Sequence, residues 1–240
     1  MILLDYEIFT KKIENINFNK KLIINTINPH SYCLAKKDTF FDEALKKSDI
    51  LIPDGIGIIL ASLFLNHIKI NKIAGYDLFL FLMNKMNNRS GTVFFLGSSE
   101  STLNLIKKKC YKEYPNVNVQ YFSQPFKKSF SEEDSNLMIN NINKHNINVL
   151  FVGMTAPKQE KWVHKYKSNI NADVICGVGA VFDFYSGKVM RSKRFWNNLG
   201  LEWLIRFLQE PRRLFFRNFV SSPKFILELI SVKFFNKKLL

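Results

Sequence analysis

Short apolar runs that end in polar residues recur along this chain, and stretches with helical spacing separate them. Residues 22–26 (Leu-Ile-Ile-Asn-Thr) run into Asn28-Pro29, and residues 50–52 run into Pro53-Asp54-Gly55. Residues 92–96 (Thr-Val-Phe-Phe-Leu) run into Gly97-Ser98-Ser99-Glu100, and residues 149–152 run into Gly153. Residues 117–122 and 173–178 complete the set of predicted strands. Helical spacing is predicted over 31–47, 56–65, 76–86, 101–114, 131–144 and 158–166. Such alternation predicts a parallel sheet with helices on both faces. Ligands of open parallel sheets bind outside the carboxyl ends of the strands. The polar tips therefore mark where a small-molecule site is expected.

Residues 56–65 are apolar almost all round, which predicts a buried helix. After residue 187 the character changes. Residues 187–240 carry 12 Lys and Arg against 3 Asp and Glu, so +9 of the total +15 lies there. Residues 195–219 interleave aromatics with arginines, Ser221-Ser222-Pro223 punctuates, and residues 224–240 form an apolar, Lys-tipped helical stretch. In that stretch Ile226, Leu229, Ile230, Lys233 and Phe234 follow helical spacing. The segment reads as an appendage to the sheet domain, expected to need a membrane or partner to order fully. Its charge implies an anionic partner: nucleic acid, anionic lipid or phosphate.

Several designs are disfavoured. No window approaches 18 apolar residues without a charge, so no spanning helix is expected, and residues 1–11 do not read as a secretory signal. Cys33, Cys110 and Cys176 have neither metal-ligand spacing nor an even count, and read as reduced, buried thiols. His30, His67, His145 and His164 are scattered, so no metal site is expected. G-x-G-x-x-G, Walker A and G-x-S-x-G patterns are absent, which disfavours NAD, P-loop and common serine-hydrolase chemistry.

The strand tips supply the candidate site. Asp54 is a carboxylate in a Pro-Asp-Gly turn; at a strand tip it suits a base that takes a proton from a hydroxyl. Thr26 and Asn28 suit capping and turns, and equally suit hydrogen bonding to a sugar. Gly97 opens a turn before a helix, the placement of an anion site. The run Gly153-Met154-Thr155-Ala156-Pro157-Lys158-Gln159-Glu160-Lys161-Trp162 starts a helix at Pro157, with Lys158 and Gln159 near the strand tips. Asp183 is placed to accept a ribose hydroxyl or to end a helix without further role. Arg206, Arg212, Arg213 and Arg217 carry the fork that matches phosphates.

These runs together resemble the WecG/TagA/CpsF family of glycosyltransferases, glycosyltransferase family 26. The resemblance rests on Thr26-Ile27-Asn28-Pro29, Pro53-Asp54-Gly55-Ile56-Gly57, Ala74-Gly75-Tyr76-Asp77-Leu78 and Val93-Phe94-Phe95-Leu96-Gly97. It continues through Phe151-Val152-Gly153, the 156–162 run, Gly177-Val178-Gly179 with Phe182-Asp183, Gly187-Lys188-Val189, and Gly200-Leu201-Glu202-Trp203 to Arg213. The match is colinear from about residue 22 to about residue 217, with the tail from Pro223 outside it.

The resemblance implies an α/β, Rossmann-like, mostly parallel sheet with helices on both faces over residues 1–187. A C-terminal basic, aromatic helical appendage over 188–240 would associate with the membrane and a lipid diphosphate. It implies inverting transfer of an N-acetylmannosamine-type sugar or related hexose from a UDP-sugar donor. The acceptor would be a sugar linked to undecaprenyl diphosphate, in teichoic acid, capsule or exopolysaccharide synthesis. Asp54 matches the base, with Thr26 beside it. Asn28, Lys72, Gly97, Gln159 and Asp183 match substrate-binding positions, as do Arg206, Arg213 and Arg217 over the lipid diphosphate. Lys72 stands where some members carry arginine and offers a point charge in place of a fork. No cofactor and no metal are implied. The expected place is cytoplasmic, peripheral at the inner face of the cell membrane on anionic lipid, with no nucleic acid as partner and a homo-oligomer left open. A non-catalytic nucleotide-sugar-binding scaffold and a basic nucleic-acid-binding protein stay as alternatives.

Overall fold

The computed structural model describes residues 1–190 and 202–236. Phe195, Trp196 and the Gly200-Leu201 part of the motif lie outside the described residues. A small antiparallel hairpin, β1 (Ile2–Leu3) and β2 (Tyr6–Glu7), precedes six parallel strands. These are β3 (Leu22–Ile27), β4 (Ile50–Pro53), β5 (Thr92–Gly97), β6 (Asn118–Phe122), β7 (Ile147–Gly153) and β8 (Ala172–Gly177). Their order across the sheet is β4-β3-β8-β7-β5-β6. All six coincide with predicted strands to within about two residues.

The central strands are near-continuous apolar runs because both faces of the sheet are covered. On one face α4 (Gly75–Asn88), α5 (Glu100–Glu113) and α8 (Val181–Tyr185) pack on Ile24, Val93, Phe95, Val149, Phe151 and Cys176. Phe79, Phe95, Phe151 and Phe182 form the ring cluster of this layer, with centroids 5.0–5.5 Å apart for Phe79–Phe151, Phe95–Phe151 and Phe95–Phe182. On the other face α6 (Glu132–Asn143) and α7 (Lys158–Tyr166) pack on Ile23, Phe94, Leu96, Leu150, Val152 and Ile175. Ser131 caps α6, and Trp162 donates from Nε1 to Ser135 Oγ at 3.3 Å. The three cysteines are buried and free, and burial pushes the Cys33 thiol up to about 11 and that of Cys110 up to about 12.

Four sequence readings are corrected. The single helix expected over 31–47 is two, α1 (Pro29–Ala35) and α2 (Thr39–Lys46). The Asp38 side chain accepts from the Phe41 N–H at 3.0 Å, and this cap starts a new helix at the break. Helix α3 (Ile56–Asn66) is not buried: only Ile58, Ala61 and Ser62 are, while Ile56, Leu60, Leu63 and Phe64 are exposed.

The other two corrections concern the appendage, which forms α9 (Glu202–Gln209), α10 (Pro211–Phe216), a π-helical turn (Arg217–Ser221) and α11 (Ser222–Phe235). Ser221-Ser222-Pro223 therefore does not interrupt the helix. Pro223 sits in a first turn, where its missing N–H is tolerated, and the Ser222 N–H donates five residues back to the Arg217 carbonyl. The face of α11 that docks is Phe225, Glu228, Leu229 and Ser231, while Ile226, Ile230, Lys233 and Phe234 are exposed. Phe225 and Leu229 enter a core with Tyr32, Cys33, Ile58 and Ala61, so α11 docks on the sheet domain.

Candidate functional site

The parallel register of β3 and β4 sets Thr26 opposite Ile52 and Ile27 opposite Pro53, which places Asn28 and Asp54 side by side at the strand ends. The Asp54 N–H donates to the Ile27 carbonyl at 2.9 Å and pins that turn. Asn28 caps α1: its Oδ1 accepts from the N–H groups of His30 and Ser31, both at 3.0 Å. Asn28 therefore caps α1 and also lines the cleft.

The second wall comes from β5 and β7. The chain leaves β5 toward α5 on one face and β7 toward α7 on the other, so the crevice opens where ligands of such sheets bind. Gly97 is where these tips touch. Its φ is +114°, and a Cβ there would lie 2.6 Å from the Gly153 carbonyl oxygen. No side chain fits that approach. Beyond it, Ser98, Gly153, Met154 and Thr155 line the cleft, with Lys158 and Gln159 from the first turn of α7. Lys158 donates to the Lys127 carbonyl at 2.7 Å, tying α7 to the loop after β6.

The appendage closes the third side with Arg206, Arg213, Leu214 and Arg217. Arg213 pairs with Glu210 at 2.6 Å and lies 3.7 Å from Asp183, linking the appendage to α8. The Arg206 guanidinium sits 4.9 Å from the Phe184 ring centroid. His30 bridges core and appendage: its Nδ1 lies 2.8 Å from Ser221 Oγ. Burial first, and the Arg217 charge second, hold the His30 imidazole below its usual range.

The resulting cleft has a volume of about 730 Å³, within the range of small-molecule sites. Six cationic side chains line it against three carboxylates, Asp54, Glu160 and Asp183. That balance favours an anionic ligand. A smaller cavity of about 530 Å³ adjoins it and shares Ser98, Gln124, Phe126 and Asp183. There Lys188 donates to Thr102 Oγ1 at 2.6 Å and to Ser101 Oγ at 3.1 Å at the start of α5.

Nine residues singled out from sequence meet in the main cleft: Thr26, Asn28, Asp54, Lys158, Gln159, Asp183, Arg206, Arg213 and Arg217. Gly97, Lys72 and Arg212 do not line it. Gly97 shapes the turn before Ser98, and Lys72 lies between α3 and α4, two residues before the lining residue Ala74. Local pattern assigns His30 no role, although it stands two positions after Asn28. Glu160 lies within the 153–162 motif, whose pattern assigns it no role either. Gln124 and Phe126 follow the edge strand and carry no local signal at all.

The chain matches the model of the "Glycosyl transferase WecG/TagA/CpsF family" over residues 3–239, so the family extends over the tail from Pro223 as well. It is 31% identical over 208 residues to an N-acetylglucosaminyldiphosphoundecaprenol N-acetyl-beta-D-mannosaminyltransferase of Bacillus subtilis (strain 168), covering 87% of this chain and 78% of the relative. A protein of the same name from Staphylococcus aureus (strain MW2) is 24% identical over 212 residues, covering 88% of this chain and 81% of the relative. A strand-tip carboxylate and an arginine-bearing appendage thus meet over one cleft in a chain that belongs to the WecG/TagA/CpsF family, and this protein is a glycosyltransferase.

Proposed function

We propose that this enzyme moves an N-acetylmannosamine-type sugar, or a related hexose, from a UDP-sugar to a sugar on undecaprenyl diphosphate, with inversion. N-acetylglucosamine is the first acceptor sugar to try, because it is named in the relatives. The product would enter bacterial cell-surface polysaccharide: teichoic acid, capsule or exopolysaccharide. The observation that carries the reading is one cleft lined by Asp54 from a strand tip and by Arg206, Arg213 and Arg217 from the appendage.

In this mechanism Asp54 takes the proton of the acceptor hydroxyl, and that oxygen attacks the anomeric carbon of the donor from the opposite side. The new glycosidic bond forms as the bond to the UDP oxygen breaks, and UDP leaves with its electron pair. Thr26 and Asn28 hold the reacting sugar beside Asp54, with Gln159 and Asp183 toward the donor. The arginines stabilise the diphosphate charge by fixed positive groups. Residues 1–187 form the catalytic core and 188–240 the membrane- and lipid-diphosphate-associated appendage that carries these arginines.

The protein works at a membrane surface, in this reading at the cytoplasmic face. Among the described residues no helix is long and apolar enough to cross a membrane. The exposed sides of α3 and α11 instead make one apolar face, joined where the Phe64 and Phe234 rings meet at 6.3 Å. Lys224 and Lys233 on α11 suit anionic headgroups around it.

The test is UDP release from a panel of UDP-sugars, with a short-chain prenyl-diphosphate-GlcNAc acceptor. One donor should support turnover, and Asp54→Asn should lower it by about 10²–10⁴-fold with an unchanged circular dichroism spectrum. Near-normal turnover in that variant removes Asp54 as the base.

A further inference from the structure

Glu160 is the most buried acid lining the cleft, 3% exposed, and the mechanism above leaves it unused. Its neighbour Gln159 is equally buried. Gln159 Nε2 donates to Glu160 Oε1 at 2.8 Å, and Gln159 Oε1 accepts from the Gly179 N–H at 3.1 Å. The amide is pressed against the end of β8: a Cβ on Gly177 would lie 3.0 Å from Gln159 Nε2 and 2.8 Å from Asn25 Oδ1.

A glutamine amide has nearly the same shape after a half-turn that exchanges its oxygen and nitrogen. Packing therefore does not decide which end faces Gly179; partner chemistry does. The Gly179 N–H can only donate, and Glu160 Oε1 accepts. Turned over, the amide would set N–H against N–H and oxygen against oxygen in a buried site, leaving donors and acceptors unmet. Glu160 is costly to keep there. Its Oε2 is buried with no hydrogen-bond partner among the described residues, and burial pushes its carboxyl up to about 7. An apolar side chain would fill that space with less desolvation. The orientation of Gln159 is what the carboxyl supplies in return.

We propose that Glu160 is a positioning residue that locks the Gln159 amide in one orientation and so holds the Gly177-Val178-Gly179 turn in the shape that receives the donor nucleotide. The nucleotide part of this inference rests on the donor reading given under Proposed function. The Glu160→Gln variant keeps volume but, like the protonated carboxyl, offers Gln159 both a donor and an acceptor, so it removes a lock that belongs to the ionised carboxylate, and the comparison is made at pH 8.

Three measurements on the full chain test it. Hydrogen exchange at the Gly179 amide, with no ligand present, should speed up about tenfold in Glu160→Gln, the scale of one lost hydrogen bond. UDP Kd and donor KM should rise by a similar factor with kcat within threefold, because Asp54 and the arginines are untouched. In a Gln159→Leu background, Glu160→Gln should add less than twofold to the UDP Kd, since Glu160 acts through Gln159. Unchanged Gly179 exchange, or a full effect of Glu160→Gln in the Gln159→Leu background, overturns the proposal. Should Glu160→Gln not fold, Gln159→Leu alone must give the same rise in Gly179 exchange, and an unchanged rate there overturns it equally. A wild-type chain that binds no UDP but shows the exchange effect sinks the donor reading and leaves the positioning role standing.

Discussion

At the scale of single residues, the cleft is shaped by groups that local pattern underrates. Gly97 has no contact with the cleft and yet decides whether the β5 and β7 tips can approach. Gly97→Ala should destabilise the fold by about 1–3 kcal/mol, read as a lower urea midpoint. Glu160 also makes a stability prediction. Its folded pKa lies near 7, above the 4.5 of the free side chain, so between those values the folded state binds more protons than the unfolded state. Any stability contributed by the protonated carboxyl is fully present below the unfolded pKa and lost as pH rises through about 7. The melting temperature of Glu160→Gln relative to wild type should therefore climb between pH 5 and pH 8. A flat difference across that range would show that the Glu160 pKa is not raised in the folded state.

At the scale of elements, α11 is the part that places the arginines. It docks through Phe225 and Leu229, and the Tyr32 hydroxyl donates to Glu228 Oε1 at 3.1 Å. The Cys33 thiol donates to the Ser221 carbonyl at 3.4 Å, and His30 meets the Ser221 hydroxyl. Because α10, the π-helical turn and α11 form one continuous helical run, the docking of α11 sets where Arg213 and Arg217 lie. Phe225→Ala removes a ring that is 2% exposed, a loss of about 3–5 kcal/mol for a core aromatic. That exceeds what a short docked helix can absorb. The expected outcome is faster proteolytic cleavage between residues 217 and 230 and at least tenfold lower turnover, with the sheet domain still folded. Equal cleavage rates would mean that α11 is held by other contacts.

At the scale of the whole molecule, the chain presents an apolar face beside the cleft. Helix α3 begins directly after Asp54-Gly55, so the element that carries the face starts beside the candidate base. A lipid-linked acceptor could then keep its chain in the bilayer and offer its sugar to Asp54. Leu60→Glu with Leu63→Glu should cut flotation with phosphatidylglycerol vesicles by more than tenfold, because moving two exposed leucines from water into a bilayer is worth about 3–6 kcal/mol. Turnover of a water-soluble short-chain acceptor should stay within twofold. Unchanged flotation would assign that face to something other than lipid.

The sequence by itself determined the sheet, its six strands and the residues at their tips. Strands covered on both faces must be continuous apolar runs, and that signal is local. It also put Thr26, Asn28 and Asp54 at or just past the ends of their strands, while the pairing of β3 with β4 that brings those ends together belongs to the tertiary structure. Only the tertiary structure decided that α3 is exposed, since a helix apolar on every side carries no mark of which side meets the core. The docking face of α11 escaped the spacing argument for the same reason: Phe225 and Ile226 are equally apolar, and only the position of α1 and α3 chooses between them. Arg213 and Asp54 lie 159 positions apart, and the orientation of the Gln159 amide depends on Gly179, 20 positions away. Such pairings belong to surfaces that meet after folding, and the spacing within one segment does not encode them.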